Sequence, residues 1–90
     1  MQPVVIYTAE LCGFCNAARR LLTQKGVPYE DIDMTGRPYE ERAALAKKAG
    51  GRTSVPQIWI GATHVGGCDD LYDLERAGQL DGLLKGEHAR

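Results

Sequence analysis

No apolar run in the chain approaches the roughly 18 residues that a membrane-crossing helix needs, so nothing in the sequence spans a bilayer. Charge of one sign is also missing. Lysine and arginine number 11 against 12 aspartates and glutamates, a formal net charge of -1, and no basic stripe forms locally. Without such a field neither nucleic acid nor an anionic membrane is an expected partner. With three cysteines and two histidines, a four-ligand zinc site would have to complete a cysteine pair with two of Cys68, His64 and His88, none at knuckle spacing. The N-terminus has no charged region followed by a long apolar segment, so the expected compartment is a reducing cytoplasm. Linkers, repeats and low-complexity stretches are absent as well. Residues 1–90 therefore read as a single domain with one core, and 43% apolar with 26% charged residues suits an α/β protein.

What is present is organised around Cys12-Gly13-Phe14-Cys15. The motif follows the apolar run Val4-Val5-Ile6-Tyr7 after a short loop and opens a stretch of helical periodicity. A CxxC between a strand and a helix reads as a dithiol redox site. The alternatives are two buried, inert thiols or half of a zinc site. At a helix start, unpaired N–H groups and the dipole stabilise a thiolate, which makes Cys12 the candidate nucleophile. Cys15, one turn in and more covered, is then the candidate resolving thiol.

Val4 to Tyr7 lacks alternation and predicts an interior strand covered on both faces. Phe14, Ala17, Ala18, Leu21 and Leu22 recur at helical spacing until Gly26. Tyr29 to Asp33 has mixed polarity and predicts a strand near an edge, parallel to the first through a right-handed crossover. Pro38 suits the first position of a second helix over Tyr39 to Ala49, with Leu45 and Ala49 on its core face. Gln57 to Ile60 and Thr63 to Val65, joined at Gly61-Ala62, predict an antiparallel hairpin. Asp69 or Asp70 is expected to cap a third helix closed by Gly78, and Leu80, Leu83 and Leu84 mark a last short helical segment. Glu87 to Arg90 are expected to fray. The order is βαβαββα on one sheet.

Three motifs in this order, Val4-Val5-Ile6-Tyr7-Thr8 with Cys12-Gly13-Phe14-Cys15, Ser54-Val55-Pro56-Gln57-Ile58-Trp59-Ile60, and Gly66-Gly67-Cys68-Asp69-Asp70-Leu71, resemble the glutaredoxins of the thioredoxin superfamily, and most closely their small bacterial dithiol members. The resemblance implies a thioredoxin-like fold, a mixed four-stranded sheet flanked by helices. It also implies a cis bond before Pro56 and glutathione as co-substrate. Val55 would pair its backbone with the cysteinyl part of glutathione. Gly67, Cys68 and Asp69 would receive the γ-glutamyl end, free N–H groups taking its carboxylate and Asp69 its amine. Phe14 would be an apolar wall. Arg42, with Arg37 as a looser candidate, would meet the glycine carboxylate; either could be a plain surface charge. The implied activity is reduction of protein–glutathione mixed disulfides and protein disulfides, at the glutaredoxin potential of about -200 to -230 mV.

The chain also departs from the family pattern. Ala9 stands where a lysine is common, which removes a cation that lowers the first cysteine's pKa and holds glutathione. Gly13 replaces a common proline and Phe14 a common tyrosine. Family members without the proline resemble those that share a [2Fe–2S] cluster across a homodimer, so the alternative to a monomeric enzyme is a cluster-bridged dimer ligated by Cys12 and bound glutathione. Glutathionylated or disulfide-containing client proteins are the implied partners. A thioredoxin-like reductase served by a flavoprotein is a third reading, disfavoured by Gly67-Cys68-Asp69. Cys68 is expected to be buried, or else open to glutathionylation beside the groove. His64 is expected to be a hairpin residue without a catalytic part, and Trp59 and Tyr72 to be packing residues.

Overall fold

In the computed structural model, which describes residues 1 to 86, the apolar run becomes β1 (Val4–Thr8), and the helix that follows the cysteine motif is α1 (Gly13–Gln24). Then come β2 (Glu30–Asp33), α2 (Tyr39–Lys48), β3 (Gln57–Ile60), β4 (Thr63–Gly66), α3 (Cys68–Arg76) and α4 (Leu80–Lys85). The expected fraying of residues 87–90 lies outside the described residues. None of the described helices is long and apolar enough to cross a membrane.

The sheet order is β2-β1-β3-β4. β1 runs parallel to β2 and antiparallel to β3, and β3 and β4 form the expected hairpin. The mixed four-stranded sheet flanked by helices is thus a thioredoxin-like fold. Ile6 faces Ile58 across the β1–β3 pair and Val4 faces Ile60, and this face packs with Ala18, Leu21 and Leu22 of α1 and Leu71 of α3 into the core. Removing these side chains from water is the main force closing the helices onto the sheet. The Tyr72 hydroxyl donates to the Ala17 carbonyl at 3.2 Å, so this packing residue also pins α3 to α1. Lys25, at the end of α1, reaches Glu75 at 2.6 Å and Asp81 at 3.1 Å, tying α1 to α3 and α4.

The second sheet face is less covered than the sequence predicts. Val4, Ile6 and Thr8 are buried, but Val5 and Tyr7 are only half-buried. The cause is α2, which buries none of its own residues; Leu45 is half-covered, and Ala49, just past the helix end, is the buried one. Two helix starts also differ from expectation. Pro38 is the cap of α2 and not its first helical residue, with an extended ψ of 156°. Gly67, not Asp69 or Asp70, occupies the cap of α3, because Asp70 reaches back from the third helical position to accept the Gly67 N–H at 2.8 Å. Phe14 leaves the predicted core face of α1: it is 65% exposed, and Cys15 takes the buried place.

Candidate active site

β1 and α1 meet at a turn through Glu10 and Leu11, where the Glu10 N–H donates to the Thr35 hydroxyl at 2.8 Å. Leu11 has φ 55°, and the chain then enters Cys12 in extended conformation, φ -116° and ψ 102°. Cys12 is the cap of α1, and its Sγ accepts the Cys15 N–H at 3.1 Å. A sulfur held there faces the positive end of the helix dipole and an amide donor without an intrahelical acceptor. Cys12 and Cys15 are joined as a disulfide with Cα atoms 5.2 Å apart. Cys12 is half-exposed, whereas Cys15 is fully buried.

Across from the pair lies the loop before β3. The Val55–Pro56 peptide bond is cis, as the resemblance implies, and the Val55 carbonyl oxygen is 3.9 Å from Cys12 Sγ. A groove of about 210 Å³ runs past this point. Phe14, Val55, Pro56, Gly67, Cys68 and Asp69 all line it, together with Ser54 and Arg52. Six sequence-predicted residues therefore come together beside the sulfur. Arg42 does not join them. It lines a larger cavity of about 440 Å³ with Ala9, Tyr39 and Thr53, which adjoins the groove because Arg52 and Val55 line both. Arg37 instead pairs with Glu41 at 2.9 Å and stands on a third recess below α2.

Arg52 is the residue the sequence reading missed. Its Nη1 donates to Asp70 at 3.0 Å, joining the loop to the start of α3, and places a cation between groove and cavity where Ala9 supplies none. Its partner lies 18 positions downstream, outside any local pattern. The Gly67 N–H and then Arg52 hold the Asp70 carboxyl below the usual carboxylate range. Asp69 stays exposed in the groove wall. Cys68 is 8% exposed, and burial, followed by the neighbouring Asp69 charge, pushes its thiol up. His64 is stacked on Trp59, ring centroids 4.5 Å apart, with Nε2 2.8 Å from Gln57 Oε1. Burial and then the Arg52 charge depress its pKa.

Chemically, this site offers one accessible sulfur, a second within bonding reach, and a groove with a free backbone edge and both signs of charge. Comparison with known proteins gives a consistent set of likenesses. The family profile described as glutaredoxin matches residues 4–65. A glutaredoxin of Pseudomonas aeruginosa is 62% identical over 84 residues, spanning 93% of this chain and 98% of that protein. The solution structure of glutaredoxin from Brucella melitensis superposes with a TM-score of 0.84 at 47% identity, over 99% of this chain and 96% of the other. A buckwheat glutaredoxin–glutathione complex superposes with a TM-score of 0.84 at 31% identity, over 94% and 78% respectively.

Proposed function

This chain belongs to the glutaredoxin family, and from that membership we propose that it is a glutathione-dependent thiol–disulfide oxidoreductase in which Cys12 is the nucleophile and Cys15 the resolving thiol. The observation that carries the reading is the half-exposed Cys12 sulfur at the start of α1, 3.9 Å from the Val55 carbonyl that edges the groove. Reduced Cys12 is favoured as a thiolate by the Cys15 N–H and the helix dipole, and attacks the glutathione sulfur of a mixed disulfide. A bond forms between Cys12 and glutathione, the old disulfide breaks, and the client sulfur leaves as a thiolate that is protonated by solvent. A second glutathione thiolate attacks the glutathione sulfur of the adduct, yielding glutathione disulfide and regenerating the Cys12 thiolate. With a protein disulfide, Cys12 forms the mixed disulfide with the client and Cys15 attacks Cys12 Sγ, releasing the client's second thiolate. A Cys12–Cys15 disulfide is the product of that branch, and the 5.2 Å between their Cα atoms allows it.

In the groove, Val55 would pair its main chain with the cysteinyl unit and Phe14 and Pro56 would wall its side chain. The Gly67 N–H being held by Asp70, the free N–H groups that follow it at the start of α3, those of Cys68 and Asp69, would take the γ-glutamyl carboxylate and the Asp69 side chain the amine, while Gly67 lines the groove. Arg42, which lines the adjoining cavity, would meet a glycine carboxylate that extends past Val55. Holding both ends of the tripeptide sets its sulfur in line with Cys12, the positioning that makes exchange fast. We take the protein to act in this way as a single-domain monomer in a reducing cytoplasm.

The shared [2Fe–2S] cluster anticipated from Gly13 would take only Cys12 from each chain, the remaining ligands being bound glutathione. Among the described residues no three His, Cys, Asp or Glu side chains gather, so this chain offers no metal site of its own beside the cysteine pair. No step is drawn through it.

The test is a pair of variants assayed with a glutathionylated peptide. Cys12→Ser loses turnover completely, whereas Cys15→Ser keeps deglutathionylation and loses reduction of a protein disulfide. Activity surviving in Cys12→Ser and vanishing in Cys15→Ser would reverse the assigned roles.

A further inference from the structure

Residues 53 to 56 must leave main-chain groups free if a peptide is to pair with them, and the fold leaves them so. Among the described residues, no backbone–backbone hydrogen bond holds this stretch to its surroundings. It carries no regular structure, and Ser54 is exposed. Among the described residues, the one bond to its main chain from a side chain outside the active-site pair comes from Gln57, whose Nε2 donates to the Ser54 carbonyl at 3.0 Å. Gln57 is fully buried at the start of β3, an uncommon place for an amide side chain unless both of its ends are satisfied. Its other end is satisfied by His64, at 2.8 Å.

The chemistry of the three groups orients the chain of bonds. A carbonyl only accepts, so the Gln57 amide nitrogen has to face Ser54 and its oxygen has to face His64. The His64 Nε2 therefore carries a hydrogen and donates. The ring is held in turn by its stack on Trp59, opposite it in the β3–β4 pair, and Lys48 lies over the Trp59 ring at 4.5 Å. A rigid hairpin is thus connected, through His64 and Gln57, to the loop whose next residue presents its carbonyl 3.9 Å from Cys12 Sγ.

We propose that Gln57, held by His64, is a positioning residue that sets the Ser54–Val55 main chain at the spacing glutathione requires, and so gives the site its preference for glutathione over other thiols. Neither residue touches the reacting sulfurs. The inference rests on the glutathione reading above and adds to it a source of selectivity inside the sheet. Losing the anchor lets the loop sample positions in which Val55 no longer matches a bound tripeptide, while the Cys12 sulfur stays where α1 holds it.

The experiment compares one peptide carrying either a glutathionyl or a cysteinyl mixed disulfide, with wild type, Gln57→Leu and His64→Phe. The phenylalanine keeps a ring on Trp59 and removes the donor to Gln57, leaving the Gln57 oxygen unpaired. Gln57→Leu is expected to raise KM for the glutathionylated peptide about tenfold and His64→Phe about threefold, the scale of losing one buried hydrogen bond or loosening it. Turnover of the cysteinylated peptide and alkylation of Cys12 in the reduced protein stay within about twofold of wild type on the same scale. A purely structural role would lower both substrates together and would move alkylation as well. If Gln57→Leu does not fold, His64→Phe decides alone. Unchanged selectivity in a folded variant overturns the inference and leaves the glutathione reading standing; a wild type with no preference for the glutathionylated peptide overturns both.

Discussion

Gly13 is the residue at which this chain gives up stability that its own geometry would allow. It is the first residue of α1, where the N–H has no helical acceptor, and a Cβ built on it meets nothing within 4 Å. The residue before it, Cys12, already has the extended backbone that a following proline demands. Proline is therefore compatible with position 13, and its restricted unfolded chain should be felt as added stability. Gly13→Pro is expected to raise unfolding free energy by about 0.5–1 kcal/mol in urea titrations. A loss of stability would mean that α1 starts differently from the geometry described. Gly66 is the opposite case. Its φ is 114° and an added Cβ would lie 2.3 Å from an Asp70 oxygen, so this glycine is required by the turn that brings α3 to the groove.

Among the elements, the start of α3 does most to build the groove, and Asp70 joins it to the loop before β3. Asp70 accepts the Gly67 N–H at 2.8 Å and the Arg52 guanidinium at 3.0 Å, which fixes two groove-lining segments with respect to each other. Gly67 is buried, so its N–H has little recourse to water if the acceptor is removed. Asp70→Ala is expected to cost about 1–2 kcal/mol, the range for leaving a buried donor unpaired. The cost depends on pH in a defined direction. The carboxyl's pKa is lower in the folded chain than in the unfolded one, so its stabilisation is complete above the ordinary Asp value, about 3.9, and is lost as pH falls through the lowered value. The difference between wild type and Asp70→Ala should be constant from about pH 8 to 5 and shrink below about 4. A difference that grew on acidification would contradict the assignment. Asp31 acts in the same sense: burial pushes its carboxyl up, but the Arg19 and Thr8 hydrogen bonds, at 2.7 Å each, outweigh that and leave it low.

For the molecule as a whole, what could be read in the sequence and what could not divide along the range of the interactions. Strands and helices follow from local periodicity, and the three motifs lie on the groove because the C-end of β1, the N-end of β3 and the C-end of β4 fall at the same end of the sheet. What escaped were interactions between residues distant in sequence. Arg52 gains its role only from Asp70, Gln57 from Ser54 and His64 together, and Phe14 leaves the core because Cys15 occupies its place. The looseness of α2 was not legible either, since Leu45 and Ala49 do not show how far the helix stands from Tyr7 and Trp59. The distribution of the three sulfurs is likewise a property of the whole fold. Core packing covers Cys15, Cys68 lies in the groove lining with its side chain buried, which raises its pKa, and Cys12 is the most exposed of the three, at a helix start. The most direct test is to alkylate the fully reduced protein with substoichiometric iodoacetamide near neutral pH and locate the label by mass spectrometry. Cys12 is expected to carry nearly all of it, with saturating glutathione disulfide blocking the reaction, whereas labelling of Cys15 or Cys68 ahead of Cys12 would contradict the account.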